Sequence, residues 1–299
     1  MAKNKRQTQN NLLIHSRAKV ELLGRYLVRY LGVIANTYVK KINIMDLFSS
    51  EGIYQNGGEG SPLVILRKVK DLQAQLKPHN RTRVSVLFND YDPAKIDKLR
   101  EHLHATDLDI IKNTDIQYRT RNYEEIVRLL PQYISQKKDE KFFIFIDPYS
   151  YREIHLGDIK GLLEYGNSEV LLFQPTQFMY RFGSNATPKA LSEFMAEVTS
   201  HHSQSYETVW QFVEEMKTGF KRHLGHGYYV DTFTIQRDKS TVFSLIFFTR
   251  HIRGFEKMLE VKWEMDMEKG RGWKYERSSD MFEQCIQSVS DWKLVLKNF

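Results

Sequence analysis

The residues best suited to chemistry are Asp147-Pro148-Tyr149. They close an unbroken apolar run, Phe142 to Ile146, which reads as a strand covered on both faces of a parallel sheet. Pro148 stops the ladder there because it has no N–H to donate. In an open α/β sheet, ligands bind beyond the carboxyl ends of such strands. Asp147 and the Pro148 carbonyl can orient the lone pair of an amine, and Tyr149 can stack on the ring that carries it. A strand-ending turn with an exposed acid is the plainer reading of the same three residues.

Three further groups stand at the ends of other expected strands. Asp46-Leu47-Phe48-Ser49-Ser50-Glu51-Gly52 follows the first. Small Ser49 and Gly52 allow backbone amides to approach a nucleotide-like ligand, although a polar loop with ordinary turn chemistry has the same composition. Asp90 ends the second strand, where a carboxylate can accept both hydroxyls of a ribose. Asp92 before Pro93 has the pattern of a helix N-cap. Asn122-Tyr123 follows the third strand. Asn122 can bond an adenine edge or cap the next helix, and Tyr123 can cover a ring face. Ser61-Pro62 reads as a cap with a first-turn proline, and Lys19 on the first helix either faces the loop after the first strand or, the plainer reading, is a solvated lysine.

Composition narrows the options. The 299 residues suffice for one large α/β domain with helical additions. Nothing approaches the roughly 20 apolar residues of a membrane span. Polar Gln7 to Asn11 stand where a signal peptide needs an apolar stretch, so a cytoplasmic setting is expected. Cys285 is the one cysteine, which excludes a disulfide framework or a multi-thiolate zinc site, and the ten histidines show no metal spacing. A net charge of +7 favours polyanions, nucleic acid first, but the basic residues are scattered as on an ordinary surface. No G-x-x-x-x-G-K-[ST] phosphate loop is present.

The elements that must position these residues alternate. Helical pattern over 12–39, one helix or two, precedes strands at 41–48, 84–88, 116–119, 141–146 and 170–173. Helices are expected between them. A helical insertion over 185–225 and a hairpin over 228–250 follow, then a helix at 255–267. Five β–α units and a hairpin predict a mostly parallel sheet with an antiparallel end, in one domain over 1–270 with a C-terminal tail over 271–299.

Taken in order, Arg17-Ala18-Lys19, Asp46 to Gly52, Gly60-Ser61-Pro62-Leu63, Phe88-Asn89-Asp90-Tyr91-Asp92, Phe145 to Tyr149 and Leu245 to Gly254 resemble the three-Cys-motif partner (TcmP) family. That family belongs among the Rossmann-like methyltransferases that use S-adenosylmethionine (SAM). The resemblance implies a seven-stranded sheet of that kind, with Asp46, Phe48, Ser49 and Gly52 at the methionine end of SAM. It places Asp90 on the ribose, Asn122 on the adenine, and Asp147, Pro148 and Tyr149 on the substrate. It also implies a partner protein with a three-cysteine motif like that of radical-SAM enzymes. Ser50 and Ser150 stand where the family has glycine.

The expected activity is methyl transfer from SAM to an amine, on a nucleobase in DNA or RNA. A methyltransferase-like module without catalysis, binding nucleic acid or a partner protein, is the rival reading, motivated by Ser50 and Ser150. A nuclease using Asp147 with Glu169 is disfavoured, since Leu171 stands where its lysine would be.

Overall fold

The computed structural model describes residues 13–76, 82–149, 154–182, 197–198, 206–238, 241–266 and 272–274. Among them, eight strands belong to one sheet in the order β3-β2-β1-β4-β5-β7-β6-β8. This is the expected mixed α/β architecture with one strand more than expected. The chain divides into two compact units, 1–147 and 148–299.

The first unit contains α1 (Ile14–Ile34), β1 (Lys41–Asp46), α2 (Ser61–Gln75), β2 (Arg83–Asn89), α3 (Pro93–Ala105), β3 (Thr114–Arg119), α4 (Tyr123–Ser135) and β4 (Glu140–Ile146). Its strands are parallel, with Asp46 level with Phe88 on one side and Phe145 on the other. The β4 side chains from Phe142 to Ile146 are all fully buried, as the unbroken apolar run requires. The N-terminal helical pattern is one unbroken helix. Its Leu22, Leu23, Tyr26, Leu27 and Leu31 are buried at helical spacing, and Tyr26 packs 5.6 Å from the Phe143 ring.

The second unit contains α5 (Leu156–Leu163), β5 (Ser168–Gln174), α6 (Thr176–Phe182), α7 (Val209–Leu224), β6 (Tyr229–Asp238), β7 (Thr241–Thr249), α8 (Ile252–Met265) and β8 (Gly272–Lys274). The β6–β7 hairpin is the expected one, and β7 lies antiparallel to β5. Phe233, Phe247 and Phe248 are core, while Phe243 stacks on Phe173 at 5.2 Å. The stretch 271–299, expected as a tail, instead supplies β8, which runs parallel to β6. Of the expected 185–225 insertion, α7 is observed; Ser150, Cys285 and most of 183–205 lie outside the described residues.

Candidate active site

A crevice of about 340 Å³ opens at the carboxyl end of β1 in the first unit. Its wall is the loop from Phe48 to Gln55, with Gly60, Ser61, Asp92, Lys95 and Asp147 around it. The loop is a small hairpin closed by an Ile53–Glu59 bridge and a Tyr54 N–H to Gly58 carbonyl bond of 2.8 Å. Two glycines make its base possible. Gly52 has φ +78°, and a Cβ there would lie 2.5 Å from Leu99 and 2.8 Å from Leu63. Gly60 donates its N–H to the Gly52 carbonyl at 2.7 Å. Gly52 therefore lets the loop pack on the core below it, which is a different task from exposing amides to a ligand.

Ser50, where the sequence resemblance led to an expectation of glycine, has φ 54°. This left-handed conformation suits glycine and strains a serine. Asp90 holds it there, since the Ser50 N–H donates to Asp90 Oδ2 at 3.1 Å. The Asp92 N–H donates to Asp90 Oδ1 at 3.0 Å, and Lys95 Nζ lies 3.7 Å from Oδ2. The Asp90 side chain is wholly buried, so this acid is spent on the two loops around it. The acid that does line the crevice is Asp92. One of its oxygens caps α3 by accepting the Ala94 N–H at 3.0 Å.

Asp46 is also fully buried. It accepts the Ser61 hydroxyl at 2.6 Å and the Phe48 N–H at 3.2 Å. Burial pushes its carboxyl up to about 7, against the Ser61 bond and with help from nearby Asp147. Ser61 was expected as a helix cap, but Gly60 occupies that position and Ser61 is the first residue of α2. Its hydroxyl serves Asp46 instead.

Lys19 corrects the sequence reading most. It is only 7% exposed, and its ammonium forms an ion pair with Asp147 Oδ2. Burial opposes the charge, yet Asp147, together with Tyr54 and Asp46, raises the lysine above its ordinary value. Asp147 Oδ1 makes no hydrogen bond among the described residues, and Asp147 lines the crevice. Pro148 is buried and Tyr149 is 43% exposed.

The structure thus gathers Phe48, Ser49, Gly52 and Asp147 around one crevice, with Asp46 beneath it. Asn122 is exposed and precedes α4 without a side-chain capping bond, while Tyr123 stacks on Phe48 at 5.3 Å. Lys19, Tyr54, Ser61, Asp92 and Lys95 were not singled out as site residues. The signals on offer were the short spacing of Asp92 from Asp90 and the presence of Lys19 and Ser61 in stretches that carry the family resemblance. No group of three or more potential metal ligands exists among the described residues. No described helix is long and apolar enough to cross a membrane.

No family model matches the sequence, and no curated protein matches it. Solved structures similar to the chain include Trm1 from Pyrococcus horikoshii with SAM, at 13% identity and TM-score 0.44 over 81% of this chain and 58% of that one. The O-methyltransferase TomG from Streptomyces achromogenes with SAM has 13% identity and TM-score 0.41, covering 78% of this chain and 80% of TomG. The O-methyltransferase from Bacillus cereus with SAH has 13% identity and TM-score 0.41, covering 77% and 80%. These similarities concern the path of the chain, and no residue assignment rests on them.

Proposed function

We propose that this chain is a SAM-dependent methyltransferase acting on an amine, a nucleobase in DNA or RNA being the favoured target, with TcmP-like character. The observation that carries the reading is the Lys19–Asp147 pair on a crevice at the end of β1. A crevice beyond the carboxyl end of a parallel strand, with a carboxylate on its wall, is where open α/β sheets receive ligands. The crevice volume of about 340 Å³ suits a small ligand. Phe48 and Tyr54 offer apolar wall, and Asp92 offers a free carboxylate oxygen for a ribose hydroxyl.

When bound, the cofactor supplies an electrophilic methyl group. The protein's task is then positioning and exclusion of water. Lys19 fixes Asp147 through Oδ2, which leaves Oδ1 and the Pro148 carbonyl as acceptors for a substrate N–H. Tyr149, next in sequence and 43% exposed, is the residue proposed to stack on the ring. A base in a duplex must first be flipped out, at a cost of a few kcal/mol. A three-cysteine, radical-SAM-like partner protein remains part of the proposal on the sequence resemblance alone.

The burial of Asp90 favours a second reading. With both oxygens held by backbone N–H groups, it offers less to a ribose than an open acid does. A catalytically silent module binding nucleic acid or a partner protein accommodates that arrangement. Calorimetry with SAM, followed by labelled SAM with separate pools of DNA, tRNA, rRNA and protein, separates the two. Label in a nucleic-acid pool supports the enzyme. Absence of SAM binding at millimolar ligand overturns it.

A further inference from the structure

We infer that Gln174 is a recognition residue for a neutral, planar substrate edge that carries a hydrogen-bond donor next to an acceptor, the chemistry of a nucleobase edge. Gln174 ends β5, and its side chain is fully buried. Among the described residues, neither its amide nitrogen nor its amide oxygen has a hydrogen-bond partner. A buried amide left unpaired on both atoms is costly, and native interiors rarely keep one without a use. The carboxyl end of a sheet strand is also where open α/β folds receive ligands.

The neighbours do not relieve it. Ser244 stands directly across from Gln174 in the β5–β7 ladder. Its hydroxyl oxygen instead accepts from Thr176 at 2.7 Å. Thr176 and Ser244 are also buried, so the polar cluster satisfies itself and leaves out the amide. Alternation along β5 sends Phe173 to the opposite face, where it stacks on Phe243.

The class of ligand follows from the chemistry. A carboxamide presents one acceptor and one donor side by side, so both are satisfied by an edge that offers the reverse pair. An ionic group taken into so enclosed a place would lose its hydration. A neutral ring edge meets both conditions. Thr176 begins α6, so the ligand reaches the amide by displacing the first turn of that helix. The choice of bases as ligands rests on the proposed activity.

The test is fluorescence anisotropy without cofactor, using labelled single-stranded oligo(A), oligo(C), oligo(G) and oligo(U). A fixed amide selects one edge pattern, so the wild type is expected to rank the four over roughly fivefold or more in affinity. Gln174→Leu removes both orphaned atoms at similar volume. It is expected to melt no lower than the wild type and to bind all four within twofold of one another. Gln174→Met, read the same way, replaces it if the leucine variant does not fold. A wild type that binds none of them at 100 µM (on the order of the weak end of such contacts), or a folded variant that keeps the wild-type ranking, overturns the inference. The second result would identify the amide as the partner of a buried water. Loss of SAM binding is read separately by calorimetry and bears on the proposed activity, not on Gln174.

Discussion

Lys19 and Asp147 stand 128 positions apart in the sequence and form one ion pair, of which Asp147 lines the crevice. The lysine is the more deeply buried partner, with its side chain 9% exposed against 21% for the aspartate. Removing the acid therefore strands the cation. Asp147→Ala is expected to destabilise by roughly 3–5 kcal/mol, toward the lower value because water reaches part of the pair. Lys19→Met leaves a partly hydrated carboxylate and costs less. The double variant Lys19→Met/Asp147→Ala loses less than the two single losses added together. Urea unfolding of all four proteins measures the cycle, and simple additivity of the single losses would show that the two groups do not interact. An activity loss in Asp147→Ala is interpretable only beside this measurement.

The loop after β1 makes two opposite predictions at neighbouring residues. Ser50 has φ 54° and no side-chain bond among the described residues, so Ser50→Gly is expected to gain up to about 1 kcal/mol. Gly52→Ala meets Leu99 and Leu63 at contact distances no real Cβ shows, in a left-handed conformation, and is expected to lose at least about 2 kcal/mol. Thermal and urea unfolding give both signs. A destabilised Ser50→Gly would mean the serine hydroxyl contributes a bond of its own.

Asp46 sets a pH dependence of stability. Its carboxyl is raised from 3.8 to about 7, so between those values the folded state holds more protons than the unfolded one. Stability contributed by this group is present in full below the unfolded value, falls as pH rises through the window, and levels off above about 7. Asp46→Asn keeps an acceptor for Ser61 and removes the titration. It is expected to flatten the decline between pH 5 and pH 7 (roughly one folded-to-unfolded proton difference) in urea midpoints. Ser61→Ala removes a bond that lowers the carboxyl and should move the decline to higher pH. An Asp46→Asn protein with the wild-type slope would assign the slope elsewhere.

How much of this was legible in the sequence depends on the range of the cause. Apolar runs and their punctuation are local, so β4 with its Asp-Pro end and the β6–β7 hairpin could be read directly. The Asp92 cap before Pro93 is likewise local, and it is observed. The burial of Lys19 is not local. A lysine on an amphipathic helix reads as solvated until the strand end that neutralises it is placed beside it. Ser61 sits after a glycine and before a proline, which looks like a cap, and only the fold shows Asp46 within bonding distance. Asp90 was placed correctly at a strand end, but its direction was set by the Ser50 and Asp92 backbone N–H groups, the first of them carried on Ser50's unusual backbone. The three residues of β8 carry too little pattern to be distinguished from a tail.

The two acids after β2 separate structure from binding. Asp90 accepts from Ser50 and Asp92 backbone and is enclosed, so its removal exposes two donors and a strained turn. Asp92 lines the crevice with one oxygen left over after capping α3. Asp90→Ala is therefore expected to lower stability by about 2 kcal/mol or more, through the unsatisfied N–H groups. Its SAM affinity should change chiefly as the loop loosens. Asp92→Ala loses a cap worth about 1 kcal/mol and the ribose acceptor. It should weaken SAM binding roughly tenfold, the effect of one charge-assisted hydrogen bond. Asp92→Asn restores the cap, since asparagine caps as well as aspartate. It should melt like the wild type while binding SAM more weakly, which isolates the ligand contact from helix stability. Calorimetry on Asp92→Asn decides the assignment, because unchanged affinity there would return the ribose to Asp90 and require that acid to turn outward on binding.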